Sequence, residues 1–320
     1  TGLTNCTAYT FKVNATNVFG PSAFSAASNS ATPFPSGTFA IFALGSSATT
    51  IRNKYTYSGD VNAVATASSV CSVGGAAAGT VTVGIFAIGA TPDCASTTRN
   101  KYTYSGCVSA SATASSVVSR DGSAAGNATV GIFALGKTTN PSTTRDKYTY
   151  SGCTSASATS ASAATFGGSA AGNSTVGIFA LGSNICCSTT TRNKYTYSNN
   201  ANASATAASA ASHFGSATGN DTVGIFALGF ASCDLSTTRN KYTYSGCTSA
   251  SATSASNSSR RGAAAGNATV GIFALGCAPC ASTTRNKYTY SGCVSASATA
   301  ASAASRSGAA ASNGTTGVNT

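Results

Sequence analysis

One phrase recurs six times along the chain at a nearly constant distance. Its arginine stands at Arg52, Arg99, Arg145, Arg192, Arg239 and Arg285, so that neighbouring copies are 46 or 47 residues apart. A period of this length is typical of propellers and solenoids, in which each unit buries its apolar faces against the next one. We therefore expect a series of equal units rather than a single irregular core.

Each unit contains four short pieces: a Gly- and Ala-rich stretch such as "GSAAGN", the apolar run "TVGIFALG", the phrase "TTRNKYTYSG" and an alternation such as "VSASATASS". Short apolar runs and period-two alternation indicate strands, and in "KYTY" both tyrosines share one face while Arg, Lys and Thr share the other. Gly-Asn in "AAGN" and Ser-Gly in "YSGC" predict tight turns, the former through positive φ. No long segment has helical periodicity, which excludes a helical solenoid.

In this order the pieces resemble the repeats of kelch-type β-propellers, as in "SRDGSAAGNATVGIFALG" followed by the Tyr-bearing third strand. The resemblance covers residues 38 to about 312 and implies one four-stranded blade per unit. The chain departs from that pattern in three ways. The Gly pair has become Leu-Gly, the fourth-strand Trp is missing, and the first-strand Arg occurs only in some units, at Arg120, Arg260 or Arg261, and Arg306.

The phase of the repeats favours a ring. The first unit begins directly with its apolar strand, "TFAIFALG" at 38–45, whereas the chain ends with an unpartnered "RSGAAASNGT". Joining the two hides sheet edges that would otherwise invite aggregation. We expect an all-β fold at 38–320: a six-bladed β-propeller of four-stranded blades, closed by a C-terminal strand completing the first blade.

Residues 1–34 resemble the last three strands of a fibronectin type III domain. Leu3, a tyrosine-corner Tyr9, the "ATNVFG" corner ending at Gly20, and Thr32 with Pro33 carry the resemblance. It implies a partial β-sandwich, which cannot bury its own core, so upstream strands or another subunit must supply the complementary sheet. Residues 35–37 are expected to be a linker. With no Met in the chain, we expect it to be a processed product or a fragment of a longer one.

The charge is concentrated in the repeated phrase. The net charge is +12, from 18 Lys and Arg against six Asp, and such a surplus can attract anionic partners. The candidate residues for an anionic ligand are the Arg/Lys pairs Arg52 and Lys54, Arg99 and Lys101, Arg145 and Lys147, Arg192 and Lys194, Arg239 and Lys241, and Arg285 and Lys287. The preferred interpretation of these pairs is structural, with lysine stems extended past a neighbouring sheet and arginines bonded to loop carbonyls.

The cysteines favour an oxidising setting. Twelve Cys occur, several in equivalent positions, and stabilising disulfides are the preferred interpretation, with free buried thiols as the alternative. Cys71 with Cys94 is one candidate pair, and "CAPC" at 277–280 could close locally or bind metal. Because the chain has a single histidine, a zinc site has weak support.

Catalysis has little support in the sequence. The carboxylates form no repeated or paired arrangement for acid–base chemistry, and they are Asp60, Asp93, Asp121, Asp146, Asp221 and Asp234. His213 stands alone, which gives no basis for a Ser-His-Asp system or for a copper oxidase of the kelch-like kind. No run of apolar residues is long enough to span a membrane as a helix. We expect no enzymatic activity, no cofactor, no metal and no membrane insertion.

These observations lead to two expectations about function. The first is a non-enzymatic structural or binding head of an extracellular or particle-surface protein, such as an appendage, fibre, filament or adhesin component, whose partners are proteins or identical subunits. The second is a soluble lectin-like or polyanion-binding propeller that meets a glycan or nucleic acid. An enzyme is the third and least supported alternative. Fold alone does not decide among them.

Overall fold

The computed structural model describes residues 9–30, 38–45, 49–91, 94–231, 234–277 and 280–314. Within these ranges every regular element is a β-strand and no helix occurs, so the all-β prediction is confirmed. Consequently, none of the described residues belongs to a helix long and apolar enough to cross a membrane.

Six four-stranded antiparallel sheets make up most of the described chain, and within each sheet the strands are named in the order in which they pair. Sheet 1 contains Ala309–Ser312, Phe39–Ala43, Arg52–Thr56 and Val61–Ala65; sheet 2 contains Ala76–Gly79, Val83–Ala87, Arg99–Thr103 and Val108–Ala112; sheet 3 contains Ser123–Gly126, Val130–Ala134, Arg145–Thr149 and Thr154–Ala158. The predicted four pieces of each unit are thus its first, second, third and fourth strands.

The remaining sheets repeat this order. Sheet 4 contains Ser169–Gly172, Val176–Ala180, Arg192–Thr196 and Ala201–Ala205; sheet 5 contains Ser216–Gly219, Val223–Ala227, Arg239–Thr243 and Thr248–Ala252; sheet 6 contains Ala263–Gly266, Val270–Ala274, Arg285–Thr289 and Val294–Ala298. A small three-stranded sheet pairs Phe230–Ala231 with both Ser212–His213 and Asp234–Leu235.

The first strands pack against one another, which explains why they contain little but Ala, Gly and Ser. Each is buried throughout, and each contacts the first strands of the sheets before and after it, with sheet 6 contacting sheet 1. The C-terminal strand enters sheet 1 as predicted, since Ala309 pairs with Ala43 and Ala311 with Ile41. These features are compatible with a propeller-like arrangement.

Apolar side chains of the second and third strands fill the space between neighbouring sheets. Between sheets 5 and 6, for example, Ile225 packs in one cluster with Phe273, Tyr288 and Tyr290. Equivalent clusters join every successive pair of sheets, and one joins sheet 6 to sheet 1 through Ile272 and other side chains. Each Ile or Phe buried in this way contributes about 1.5–3 kcal/mol.

A cycle of main-chain hydrogen bonds joins the residues that precede the first strands by two positions. We call these residues the axial cycle: Gly74, Asp121, Gly167, Phe214, Arg261 and Ser307. Each backbone N–H donates to the carbonyl of the preceding member at 2.6–2.8 Å, and Gly74 N–H donates to Ser307. All six have positive φ, between 54° and 66°. The bonds therefore return to their starting residue.

A glycine follows every member of the axial cycle because the second strand passes too close for a side chain. A Cβ added at Gly168 would lie 2.4 Å from the carbonyl oxygen of Ala180, and one added at Gly262 would lie 2.4 Å from that of Ala274. Contacts under 3.0 Å between such atoms would force the backbone apart. The repeated glycine is thus required by close approach of two strands.

The two predicted turns occur where expected, but different residues form them. Gly126 lies in a strand without positive φ, and the Asn127 side chain accepts hydrogen bonds from the backbone of Thr129 and Val130 at 2.9 and 3.0 Å. This is an Asx turn. In "YSGC" the positive φ belongs to Cys153, at 48°, and not to Gly152. The prediction that Gly-Asn supplies positive φ was therefore wrong.

The described N-terminal segment forms a hairpin. Thr16–Asn17 pairs with Gly20–Pro21. Outward from this turn, the N–H of Ser25 donates to the carbonyl of Val13, and Ser25 Oγ accepts from the N–H of Val13; Ser22 and Ser28 make the same pair of bonds with the opposite arm. Phe19 and Phe24 are exposed. Leu3, Thr32, Pro33 and the linker at 35–37 lie outside the described residues, so the fibronectin-like module stays a prediction.

Candidate functional site

The six repeated arginines are interior residues. Each is at most 1% exposed, and its guanidinium crosses into the following sheet. Arg192 is representative: Nη2 donates to Asn240 Oδ1 at 3.1 Å, Nη1 donates to Ser249 Oγ at 3.0 Å, and Cζ lies 4.6 Å from the centre of the Phe226 ring. Burial lowers the pKa of this guanidinium to about 10. A ligand in solvent cannot reach these groups.

The last arginine makes the same contacts with the first sheet. Arg285 of sheet 6 donates to Asn53 Oδ1 at 3.3 Å and to Asn62 Oδ1 at 2.8 Å, and its Cζ lies 4.6 Å from the Phe42 ring centre. Its burial also lowers its pKa to about 10. Arg285 therefore contacts sheet 1 as the arginines of sheets 1, 3, 4 and 5 contact the sheets that follow them.

The junction of sheets 2 and 3 carries a different partner. Here Arg99 meets a carboxylate, with Nη2 2.8 Å from Asp146 Oδ2, and both side chains are buried. Asp146 also accepts from the N–H and Oγ of Ser116, at 2.9 and 2.6 Å. Hydrogen bonds to both carboxylate oxygens compensate for the removal of this ion pair from water.

The repeated lysines are partly exposed and stand at separate junctions between sheets. Lys241 and Tyr290 line a groove of about 320 Å³ between sheets 5 and 6, and Lys194 and Tyr244 line one of about 330 Å³ between sheets 4 and 5. The twelve predicted ligand residues therefore do not share one surface. An anionic ligand in such grooves stays a prediction for Lys54, Lys101, Lys147, Lys194, Lys241 and Lys287.

A second group of cations surrounds the axial cycle, next to aromatic rings. We call it the axial cluster, and it consists of Lys137, Phe166, His213, Phe214, Phe230, Arg260 and Arg261. The cations lie over the rings, with Arg261 Cζ 4.2 Å from the Phe214 centre, Lys137 Nζ 3.8 Å from that of Phe166, and Arg260 Cζ 5.5 Å from that of Phe230. Cations held over aromatic faces remain charged and gain about 0.5–2 kcal/mol each.

The backbone places these side chains through the axial cycle and short bridges. His213 lies between Phe214 and Phe230: its ring centre is 4.7 Å from that of Phe214 and 5.2 Å from that of Phe230. The backbone of His213 pairs with that of Phe230 in the small sheet. Glycine at two of the six cycle positions agrees with their positive φ. Phe214 and Arg261 occupy the same conformation at a cost of about 1–2 kcal/mol each.

The electrostatics of the axial cluster are strongly positive. Burial, and then the charges of Arg260, Arg261 and Lys137, lower the pKa of His213, whose Nδ1 is 2.7 Å from Ser188 Oγ. Asp121 is the acidic member of the cycle, with a carboxylate oxygen 3.8 Å from Lys137 Nζ. Arg120 and Arg306 are exposed and immediately precede Asp121 and Ser307 in the chain. The cluster can therefore hold anionic groups beside flat apolar ones.

The axial cluster was not predicted from the sequence, although the sequence contains a signal for it. The dipeptides before the constant glycine are Val73-Gly74, Arg120-Asp121, Phe166-Gly167, His213-Phe214, Arg260-Arg261 and Arg306-Ser307. These positions differ from unit to unit, whereas the strands around them hardly change. In a repeat protein, constant positions build the fold, and variable positions that face one another are candidates for recognition.

The cysteine predictions were wrong at most described positions. Cys71 and Cys94 are both free thiols, so the suggested pair does not form. The other free thiols include Cys153, Cys186, Cys187, Cys247, Cys280 and Cys293. Cys107 is disulfide-bonded. The described cysteines therefore give little support to an oxidising setting.

Potential metal ligands do not gather in the described part of the chain. No three of its His, Cys, Asp and Glu side chains are arranged to hold a metal ion. One of the six carboxylates, Asp93, lies outside the described residues. Comparison of the sequence with protein-family models and with curated proteins gave no match.

Proposed function

We propose that this chain is a non-enzymatic binding head built as a closed, six-bladed, kelch-like β-propeller. The cycle of main-chain bonds, the contacts of Arg285 with sheet 1 and the pairing of Ala309–Ser312 with Phe39–Ala43 support six blades in a ring. The first two features join the last sheet to the first by the kind of contact that joins the other neighbouring sheets, and the third completes sheet 1 with a strand from the end of the chain. Such a ring presents the axial cluster at one end of its central axis.

The ligand of this head is an anionic polymer, bound at the axial cluster. The observation that carries this proposal is the convergence of Lys137, Arg260 and Arg261 on the rings of Phe166, Phe230 and Phe214. Arginine presents a planar fork of donors that matches carboxylate, sulfate or phosphate oxygens, and an aromatic ring stacks on a sugar or a base. The cavity inside the cycle, about 40 Å³, admits only water-sized groups, so the polymer lies across the mouth.

The test compares two double variants that remove the same charge from opposite ends of the strands. Arg260→Gln with Arg261→Gln changes the axial cluster, and Lys194→Gln with Lys241→Gln changes the grooves. Heparin and an oligothymidine serve as probes. We expect only the arginine variant to weaken binding. For the oligothymidine, each lost cation should reduce the slope of log K against log salt by roughly 0.7, so the two arginines together should reduce it by about 1.4.

Several results would contradict this proposal. Binding that does not change with salt would exclude an electrostatic site. Equal weakening in both double variants would indicate a diffuse response to net charge, and weakening in the lysine variant alone would favour the lysines that the sequence analysis named as candidate ligand residues. Circular dichroism of each variant must match the parent chain, so that loss of fold is not mistaken for loss of binding.

A second candidate function is assembly with a protein partner through the N-terminal hairpin. Val13, Val18, Phe19 and Phe24 are 67–95% exposed, a high exposure for apolar side chains on one short hairpin. A complementary sheet from upstream strands or another subunit would cover them, as expected for a surface appendage or fibre. Sedimentation of the chain with and without Phe19→Ser and Phe24→Ser tests self-association; an unchanged monomer would leave upstream strands as the cover. An extracellular or particle-surface location is part of this proposal.

A further inference from the structure

Three lysines contact thiols of the following sheet. Lys101 Nζ lies 3.8 Å from Cys153 Sγ, Lys194 Nζ lies 3.8 Å from Cys247 Sγ, and Lys241 Nζ lies 3.7 Å from Cys293 Sγ. Each pair joins two neighbouring sheets: 2 and 3, 4 and 5, and 5 and 6. The lysine belongs to the third strand of one sheet, and the cysteine belongs to the turn after the third strand of the next.

The turn fixes each thiol beside its amine while leaving it partly accessible. Cys153, Cys247 and Cys293 adopt φ of 48–50°, and their side chains are half-buried. Each Sγ also lies 3.7–3.8 Å from the carbonyl oxygen of the tyrosine three residues earlier. The thiol therefore has a defined orientation, and a small oxidant can still reach the sulfur.

Two other units provide comparisons without sulfur at this position. Lys147 Nζ lies 3.4 Å from Asn200 Oδ1, and Asn200 has φ of 54°. Asp60 occupies the same turn position in sheet 1, at φ 50°, near Lys287 of sheet 6. The backbone and the lysine thus persist when the side chain changes, so the lysine–cysteine contact does not exist merely to maintain the turn.

We propose that these three pairs are sites of oxidative cross-linking between sheets, with hydrogen peroxide as the oxidant. The cysteine sulfur attacks a peroxide oxygen, an S–O bond forms, the O–O bond breaks, and the departing hydroxide takes the thiol proton to become water. Sulfur is oxidised by two electrons, and peroxide is reduced. The unprotonated lysine amine then attacks sulfur, an N–S bond forms, the S–O bond breaks, and the hydroxide leaves with one amine proton as water.

The lysine determines the fate of the oxidised sulfur. One thiol, one amine and one peroxide give one sulfenamide and two waters, so the linked chain loses two hydrogens at each site. An accessible sulfenic acid without a nearby nucleophile proceeds to sulfinic acid, whereas a sulfenic acid beside nitrogen condenses with it. The lysine stem has four flexible methylenes, which let Nζ move from contact to bonding distance. The product fastens two sheets and is reversed by thiols.

The experiment maps the linkages directly. The folded chain is treated with hydrogen peroxide at about pH 9, where more of a lysine's amine is unprotonated than at neutral pH, and is then digested with trypsin without reductant. We expect paired peptides joining Lys241 to Cys293, with two hydrogens lost, no cleavage after Lys241, and release by dithiothreitol. Lys147, which faces Asn200, should be cleaved normally in the same digest.

Two variants serve as controls at one junction. Lys241→Arg keeps the charge but lacks the amine, so Cys293 should reach sulfinic acid and give no linked peptide. Cys293→Asn reproduces the pair seen at Lys147 and should restore cleavage after Lys241. The proposal is overturned if Cys293 in the parent chain becomes sulfinic acid or a disulfide while Lys241 remains cleavable, or if Lys241→Arg gives the same products as the parent chain.

Discussion

Replacing Asn286 with Asp should stabilise the contact between sheets 5 and 6. Arg239 Nη2 donates to Asn286 Oδ1 at 3.2 Å, and burial lowers the pKa of Arg239 from 12.5 to about 10. One pKa unit corresponds to about 1.4 kcal/mol, so burial disfavours the charged guanidinium by an amount on the order of 3 kcal/mol relative to water. A carboxylate in place of the amide would offset part of that amount.

The junction of sheets 2 and 3 indicates that a carboxylate fits at this position. Asp146 accepts from Arg99 and from the N–H and Oγ of Ser116. Ser256 N–H already donates to Asn286, and its hydroxyl would donate to the carboxylate instead of accepting from the amide. Charge-assisted hydrogen bonds contribute about 1.5–3 kcal/mol, against about 0.5–1.5 for neutral ones. After part is lost to desolvation, we expect a gain of about 1 kcal/mol.

Denaturant unfolding measures this gain as a higher midpoint at unchanged slope. Asn140→Asp, the same chemical change at an exposed residue, should leave the midpoint nearly unchanged. The reverse change, Asp146→Asn, should lower the midpoint by a similar amount. If Asn286→Asp lowers the midpoint relative to Asn140→Asp, the carboxylate costs more to bury than it returns, and the interpretation of the buried arginines as undercompensated charges is wrong.

Three further outcomes are expected. Gly168→Ala should destabilise the chain by about 1–3 kcal/mol, because its Cβ would lie 2.4 Å from the Ala180 carbonyl oxygen. In Gly152→Ala the nearest atom to the Cβ would be 3.5 Å away, so thermal unfolding should be nearly unchanged. The single histidine, His213, should titrate below its usual pKa by NMR, and heparin should raise that pKa by neutralising nearby cations. Because the folded pKa is lowered, the stability contributed by neutral His213 is present above about pH 6.5 and is lost as pH falls through the folded pKa. If heparin leaves the pKa of His213 unchanged, the ligand binds elsewhere. Burial raises the pKa of Tyr150. The stability contributed by its neutral phenol is therefore present below about pH 10 and is lost as pH rises through the folded pKa. Phenolate absorbance should rise together with loss of structure, and ionisation of the interior phenols in an intact fold would refute this.

The strands could be predicted from the sequence because period-two alternation and the repeat mark their centres. The role of the third strand could not, because alternation does not say what either face meets. Tyr148 and Arg145 point to opposite faces of their strand, and both are buried because sheets pack on both sides. The alternation therefore placed the arginine on the face opposite the tyrosines but did not show that this face is buried against the next sheet. The pairing of each arginine with an Asn or Asp in the next unit depends on which sheets are neighbours.

The turn residues were predicted wrongly and the axial cluster was not predicted at all, for different reasons. At "AAGN" two explanations competed, glycine conformational freedom and the side-chain hydrogen bonds of Asn127, and the second determines the turn. The cluster is assembled from residues of different repeat units, and no local pattern links His213 to Arg260 or Lys137. Their proximity follows only from the way in which successive first strands are arranged.

The axial cycle holds neighbouring units together through its main chain alone. Its bonds use only N–H and C=O groups, so the six side chains can be exchanged without loss of a main-chain hydrogen bond, at the modest cost of positive φ. Glycine, aspartate, phenylalanine, arginine and serine already occupy equivalent positions within one molecule. A combinatorial library at positions 74, 121, 167, 214, 261 and 307 would therefore sample new binding surfaces on an unchanged scaffold.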